Sequence, residues 1–406
     1  MTSNIKYMSG VKSLQDINIE GKRVLIRVDF NVPVDSHNNI SDDRRIRSAL
    51  PTINYCIDNN ACSITLVSHF GRPKGKYDER YTLKHIRKRL ERLLEKRVEF
   101  IDNFESSKDE ISTCSLERVF LLENIRFYDG EKQNDRELSE KLASICDIYV
   151  NDAFGTSHRE HASTYGITEF VDTKVAGFLM MKEIKAFSKA LEEPVRPISL
   201  VVGGAKISSK ITLLEAVLKK VDKLIIGGAM SNTFLKALGY EMMDSLYEEN
   251  YVETASNVLN QARENGVKIY LPVDLVITDF IEKPIDVKVV PSQDILEGFS
   301  AVDIGPATVK LFSEAIELSN TIIWNGPMGI YETDKFSKGT FKIAASIADS
   351  YAYTIVGGGD TADAVDKCGE ASNFSFISTG GGASLELLEG KILPGFKNLD
   401  RKNGIE

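Results

Sequence analysis

Cysteine, long apolar runs and net positive charge are all in short supply here, and each shortage removes a class of protein. The five cysteines, Cys56, Cys62, Cys114, Cys146 and Cys368, are dispersed and include no C-x-x-C pair. An odd, scattered set argues against a disulfide framework or a cysteine zinc site and points to a reducing compartment. The HREH stretch at 158–161 places two histidines three residues apart with no third ligand in view, so a zinc centre is not expected. There is no G-x-S-x-G elbow and no Cys–His pair of distinctive context. The lone tryptophan, Trp324, reads as packing. No run approaches the ~18 apolar residues of a membrane span, and the opening MTSNIKYMSGVKSL lacks a stretch of signal-peptide length. A cytoplasmic protein without membrane contact is expected. With 50 basic against 59 acidic residues the net charge is -9, which argues against a general nucleic-acid binder but leaves room for local basic pockets.

What is present is an alternation. Short apolar runs, RVLIRV (23–28), SITLV (63–67), RVFLL (118–122), DIYV (147–150), PISLVV (197–202), KLIIG (223–227), TIIW (321–324), YTIV (353–356) and SFIS (375–378), read as buried strands of parallel sheets. Amphipathic stretches lie between them. In LKHIRKRLERLLEKRV, Leu83, Ile86, Leu90, Leu93 and Leu94 recur at helical spacing, and the basic residues read as a solvated face. TKVAGFLMMKEIKAFSKALEE reads as one long helix closed by Pro194. The whole is α/β, and a length of 406 residues suggests two or three domains.

In open parallel sheets ligands bind beyond the carboxyl ends of strands, so the residues after each run carry the chemistry. In the second half these are glycines: VVGGAK, IIGGAM, IVGGGD, ISTGGGAS and IWNGPMG. Glycine turns at helix starts let backbone N–H groups cradle phosphate, and so many in one half suggest a nucleotide. In the first half the ends are polar: Asp29 and Asn31 in RVDFNVP, His69 and Arg72 in SHFGRP, Arg126 in ENIRF, His158 and Arg159 in NDAFGTSHR, with Arg45 in the loop after the first strand. Converging arginines imply a small, highly anionic ligand.

Lys206 and Lys210 in GGAKISSK do not follow Walker spacing. With Ile207, Ile211, Leu214 and Leu218 forming a stripe, the two lysines are expected on one face at a helix N-terminus, a phosphate site of another design. GGGDTA at 357–362 fits the dinucleotide fingerprint, yet no acidic residue follows at the required distance, and Asp360 inside the turn would repel pyrophosphate. An Asp360 that holds Mg²⁺ resolves the conflict and favours a nucleoside phosphate over a nicotinamide cofactor. A dehydrogenase and a non-catalytic nucleotide-binding module are the rival readings.

Taken in order, RVDFNVP, SHFGRP, ENIRF, NDAFGTSHR, VVGGAKISSK, IIWNGPMGIYE, IVGGGDTA and STGGGASLELLEGK make the chain resemble the phosphoglycerate kinase family almost from end to end. The resemblance implies two doubly wound, Rossmann-like parallel-sheet domains joined by a bridging helix: 1–172 with 391–406 for 3-phosphoglycerate, 173–192 as the helix, and 193–390 for nucleotide. It implies reversible transfer of a phosphoryl group from 1,3-bisphosphoglycerate to ADP with Mg²⁺, in line and with domain closure, by a monomer. By motif, Asp29 and Asn31, with Phe30, Phe70 and Gly71, would meet the glycerate, and Arg45, His69, Arg72, Arg126 and Arg159 its charged groups. Lys206 and Arg45 would neutralise the phosphoryl group in flight beside Gly380, Gly381 and Gly382. Lys210, Asn325, Glu332, Gly358, Gly359, Asp360 and Thr361 would serve the nucleotide, Asp360 holding the metal, with Gly227, Gly228 and Ala301 at the adenine. Two positions depart from the family: Ser209 where aspartate is common before the second lysine, and Ala301 where glycine is common.

Overall fold

A computed structural model describes residues 4–113 and 118–402. Of the positions singled out above, Cys114 and the last four residues fall outside this range. The chain forms two compact units, Met1–Lys185 with Lys391–Glu406, and Ala186–Gly390.

The first unit holds β1 (Arg23–Arg27), β2 (Ser63–Val67), β3 (Val98–Ile101), β4 (Arg118–Leu122), β5 (Ile148–Asn151) and β6 (Thr173–Ala176) in one sheet of order β3-β4-β2-β1-β5-β6. All its pairings are parallel. Successive side chains point to opposite faces, and Val24, Ile26, Ile64, Leu66, Val119, Leu121 and Val150 all enter one buried cluster. The helices Arg44–Asp58, through Ile46, Ala49 and Ile53, and Lys84–Leu94, through Ile86, Leu90 and Leu94, cover that face. Full burial of each large apolar side chain contributes ~1.5–3 kcal/mol. The basic face of Lys84–Leu94 is solvated as expected, and its Arg89 pairs with Asp43. The C-terminal segment is stitched to this unit by Asn151 Nδ2 donating to Gly395 O (3.0 Å), Gly395 N to Ser157 O (2.8 Å) and Asp400 N to Lys174 O (2.8 Å).

The second unit holds β7 (Ile198–Val202), β8 (Lys223–Ile226), β9 (Lys268–Tyr270), β10 (Asp274–Thr278), β11 (Val287–Pro291), β12 (Ser300–Ile304), β13 (Thr321–Asn325), β14 (Tyr353–Gly357) and β15 (Phe376–Ile377). Its main sheet has the order β15-β14-β13-β7-β8-β9 and is parallel. Trp324 is fully buried there against Phe374, and its indole N–H donates to Gly326 O at 2.9 Å, a packing role as expected.

Two expectations are corrected and one element is added. TKVA does not begin the long helix. Val175 and Ala176 are buried as β6 beside Val150 and Asn151, and the helix runs only over Phe178–Leu191. The break falls where Asp152 accepts the Leu179 N–H at 2.9 Å, capping the helix start. An antiparallel three-stranded sheet, β11-β10-β12, was not read at all. Its outer strand is mostly exposed and its small core of Leu235, Met242, Leu275, Ile277 and Ile295 is drawn from distant segments. Cys56, Cys146 and Cys368 are free, but Cys62 is disulfide-bonded, a bond that dispersed spacing did not suggest.

Candidate active site

The order β4-β2-β1-β5 sets four strand ends side by side, and the loops after them build one cluster in the first unit. Asp29 is buried; its Oδ2 accepts from Arg45 Nη1 at 3.0 Å, and Arg45 also donates to Asn31 O at 3.1 Å. Arg45 is not in a loop, as expected, but in the first turn of the helix Arg44–Asp58. Asn31 Oδ1 accepts from Gly71 N (2.8 Å), and Gly71 O accepts from Arg126 Nη1 (2.7 Å), which ties the second and fourth strand ends together. Gly71 has φ +59, and a Cβ there would run into the Tyr81 ring, so this turn requires glycine. Arg72 and Arg159 stand exposed beside the cluster. Phe30 and Phe70 point into the core, which leaves only their backbone for a ligand.

Burial alone would raise the Asp29 carboxyl, but Arg45, His69 and Arg27 hold it below the usual carboxylate range. His69 is pushed far below the usual imidazole value by burial and by Arg27, Arg126 and Arg45, despite Asp29, so it is neutral at pH 7. Burial, then Arg159 and Arg27, push Arg126 down to about 10. Its Nε is buried without a hydrogen-bond partner among the described residues. Cations that repel one another and a buried donor left open describe a site completed by an anion.

Sequence reasoning missed two residues of this cluster. Arg27, read as part of an apolar strand, is fully buried, and its Nη2 lies 3.4 Å from His69 Nδ1. A charge at the end of an otherwise apolar run was the available signal. Asn124, also fully buried, accepts from Phe70 N (3.0 Å) and Arg126 N (3.1 Å) and donates to Phe70 O (2.7 Å), fixing both loops.

The second unit gathers its strand ends in the same way. Lys206 and Lys210 do not share a helix face, because the helix begins only at Ile211. Lys206 is exposed in the preceding loop, which Ser209 closes by donating from its hydroxyl to Lys206 O at 2.8 Å. Glu248 pins the same loop through Ser208 Oγ at 2.6 Å. Lys210 turns inward instead: its Nζ donates to Asn325 O (2.7 Å) and Oδ1 (2.6 Å). A lysine can only donate, so the Asn325 amide is oriented with Nδ2 on the other side. That Nδ2 is buried without a partner among the described residues and faces Gly357 and Gly358, 3.3 and 3.4 Å from where their side chains would begin.

Gly358, at φ +101, opens the helix Gly359–Lys367, whose first turn carries the exposed Asp360. A second helix, Gly381–Leu388, starts opposite, where a Cβ on Gly381 would lie 3.5 Å from Gly358 Cα and 3.6 Å from Gly359 N. Gly382 is exposed at the same end. Thr361 Oγ1 accepts from Gly326 N at 2.6 Å and locks the third turn to these two. Two helix N-termini, an open amide donor and a buried lysine thus converge on one place, each favouring anionic oxygen. Glu332 is exposed, and the preceding Tyr331 donates to Asp363 Oδ2 at 2.9 Å, which holds that loop to the helix of Asp360. Gly228 and Ala301 line a separate small pocket with Leu275 and Met328. No group of three or more metal-ligating side chains occurs among the described residues.

Comparison with known proteins gives the family. The phosphoglycerate kinase family model matches residues 14–391. The chain belongs to the phosphoglycerate kinase family. A phosphoglycerate kinase of Wolinella succinogenes is 61% identical over 99% of this chain and 100% of its own. That of Helicobacter pylori strain 26695 is 56% identical over 99% and 100%. The solved phosphoglycerate kinase from Coxiella burnetii superposes with a TM-score of 0.86 at 41% identity, covering 96% of this chain and 98% of its own. That from Pyrococcus horikoshii gives 0.83 at 31%, covering 95% and 98%. The chain is thus a phosphotransferase of a two-domain α/β fold, as the ordered motifs implied, and the dehydrogenase reading falls away.

Lys210 gives this half a pH dependence. Burial lowers it to about 7, against the opposing pull of Asp360. A phosphate placed beside Lys210 would raise it again, so binding there above pH 7 would take up a proton. ATP affinity should be flat below pH 6 and fall by up to about tenfold per unit above pH 7. Calorimetry in buffers of differing ionisation enthalpy measures the uptake. Lys210→Arg, which stays charged, should abolish the slope.

Proposed function

We propose that the chain transfers a phosphoryl group reversibly from 1,3-bisphosphoglycerate to ADP, giving 3-phosphoglycerate and ATP, as a cytoplasmic monomer that uses Mg²⁺. No described helix is long and apolar enough to cross a membrane, which is compatible with that setting. The observation that carries the reading is the pair of open, buried donors, Arg126 Nε among arginines in one unit and Asn325 Nδ2 between two helix starts in the other. Each suits a different anion: a small ligand with several charges, and a polyphosphate.

In the ATP-forming direction a terminal oxygen of ADP attacks the acyl phosphate phosphorus as the bond to the carboxyl oxygen breaks. The attacking oxygen is already anionic, so no general base is needed, and catalysis reduces to placement and charge neutralisation. Asp29, Asn31 and Gly71 set the glycerate site, with neutral His69 as a hydrogen-bonding partner. Arg45, Arg72, Arg126 and Arg159 take the carboxyl and phosphate charges. Arg45, held by Asp29, and Lys206 neutralise the moving phosphoryl group beside Gly381 and Gly382. Lys210, Asn325, Gly358, Gly359 and Thr361 hold the nucleotide phosphates, with Glu332 on the nucleotide side and Gly227, Gly228 and Ala301 at the adenine.

Asp360 fits a magnesium ion: a single exposed carboxylate beside a phosphate cradle matches a cation held by one protein ligand plus phosphate and water. Bound there, the ion would screen the charge of the nucleotide phosphates. The helix Phe178–Leu191 runs from one unit into the other and would be the hinge that brings the bound substrates in line.

A coupled assay tests the proposal by following NADH loss as 3-phosphoglycerate is phosphorylated. Turnover should require 3-phosphoglycerate, ATP and magnesium together and stop with EDTA. A folded protein that binds ATP without turnover would be a nucleotide-binding module instead.

A further inference from the structure

Beneath the glycerate cluster lies a line of buried polar groups that the proposed reaction does not touch. Glu131, in the short helix Gly130–Gln133 that follows β4, is fully buried. Its Oε2 accepts from Ser163 N at 2.9 Å and its Oε1 from the Ser163 hydroxyl at 2.7 Å. The same hydroxyl accepts from Arg27 Nε at 2.8 Å. Arg27 Nη1 donates to Val28 O, and Nη2 reaches His69 Nδ1 at 3.4 Å. His161 Nδ1 lies 3.6 Å from the same Glu131 Oε1, and Tyr149 Oη donates to Ser163 O at 2.9 Å.

We propose that Glu131 and Ser163 are positioning residues for the glycerate site, acting through Arg27 on His69. Four facts carry this. Arg27, Ser163 and Glu131 are each fully buried, so the line is a fixed structure and not a surface ion pair. One hydroxyl bridges both charges, accepting from the arginine and donating to the carboxylate, and the two charges also attract each other directly. Arg27 Nη2, which can only donate, faces His69 Nδ1 at 3.4 Å and favours the neutral tautomer with its proton on Nε2, against Asp29 Oδ1 at 3.7 Å from the same nitrogen. Finally, burial, then Arg159 and Arg27, push Arg126 down while Glu131 and Asp29 oppose them, so the Glu131 carboxylate offsets part of the charge repulsion within the cluster.

The inference rests on the glycerate site proposed above, and Ser163→Ala tests it most cleanly, since it deletes the shared hydroxyl and leaves every charge in place. KM for 3-phosphoglycerate should rise about tenfold, the usual weight of one hydrogen bond to a charged group. KM for ATP should stay within twofold. Ser163→Thr, which keeps a hydroxyl, should restore most of the loss, and a merely structural role would move the melting temperature without separating the two KM values. If Ser163→Ala does not fold, Glu131→Gln should show the same split. A folded Ser163→Ala with unchanged KM for 3-phosphoglycerate, or with both KM values raised alike, overturns the inference. Arg126→Met tells the two readings apart. If it too leaves 3-phosphoglycerate unaffected, the site itself is misplaced. If it weakens 3-phosphoglycerate while Ser163→Ala does not, the positioning line alone is wrong.

Discussion

Replacing Lys206 by alanine should lower kcat roughly 100- to 1,000-fold, the scale on which losing one preorganised charge at a transition state acts, while the KM for ATP changes little. The reason is its placement. Lys210 is buried and already paired with Asn325, whereas Lys206 stands exposed on a loop fixed by Ser209 and Glu248. It therefore has little structural work to lose, and the fold should be unaffected within about 0.5 kcal/mol. In the role proposed for it, neutralising the phosphoryl group only in flight, loss of this ammonium removes transition-state binding alone, which appears in kcat. Steady-state kinetics of the purified variant decide the matter. A rise in the KM for ATP at constant kcat would make Lys206 a ground-state phosphate contact.

The second large effect is at Arg126. Arg126→Met should weaken 3-phosphoglycerate about 10- to 150-fold, the equivalent of one charge-assisted hydrogen bond of ~1.5–3 kcal/mol. ATP binding should be unchanged. Stability should behave unlike that of an ordinary buried substitution. Burial and two neighbouring arginines disfavour the Arg126 charge in the folded protein, so removing it relieves repulsion while costing the hydrogen bond to Gly71 O. These offset one another, and the melting temperature should not fall by more than a few degrees, with the relief shrinking at high salt. A variant that loses several kcal/mol of stability would place Arg126 in the scaffold and not at a ligand.

How much of this was legible in the sequence depends on the range of the interaction. β2 and β4 were read to the residue because a parallel strand buried on both faces is a plain apolar run. The clusters at the strand ends were legible because in a parallel sheet the loops that gather there directly follow those runs. β6 was lost because TKVA has no apolar run of its own and is a strand only through pairing with β5 and the cap that Asp152 places after it. The inward turn of Lys210 was lost as well, because its partner Asn325 is 115 residues away. Arg27 was overlooked for the same reason: its partners Ser163 and His69 are separated from it by 136 and 42 residues. Of the two departures, Ser209 proves to close the Lys206 turn, and Ala301 proves to line the small pocket beside Gly228. Spacing could show that both residues differ, but not what either touches.

The central claim is that the chain carries two separate anion sites, one for glycerate phosphates among the arginines and one for nucleotide phosphates at the paired helix starts. Calorimetric titration of Arg126→Met and Lys210→Met, each with 3-phosphoglycerate and with ATP, tests it most directly. The account expects a crossed pattern, with Arg126→Met weakening only 3-phosphoglycerate and Lys210→Met only ATP. Either variant weakening both ligands equally, or weakening the other unit's ligand, would contradict it.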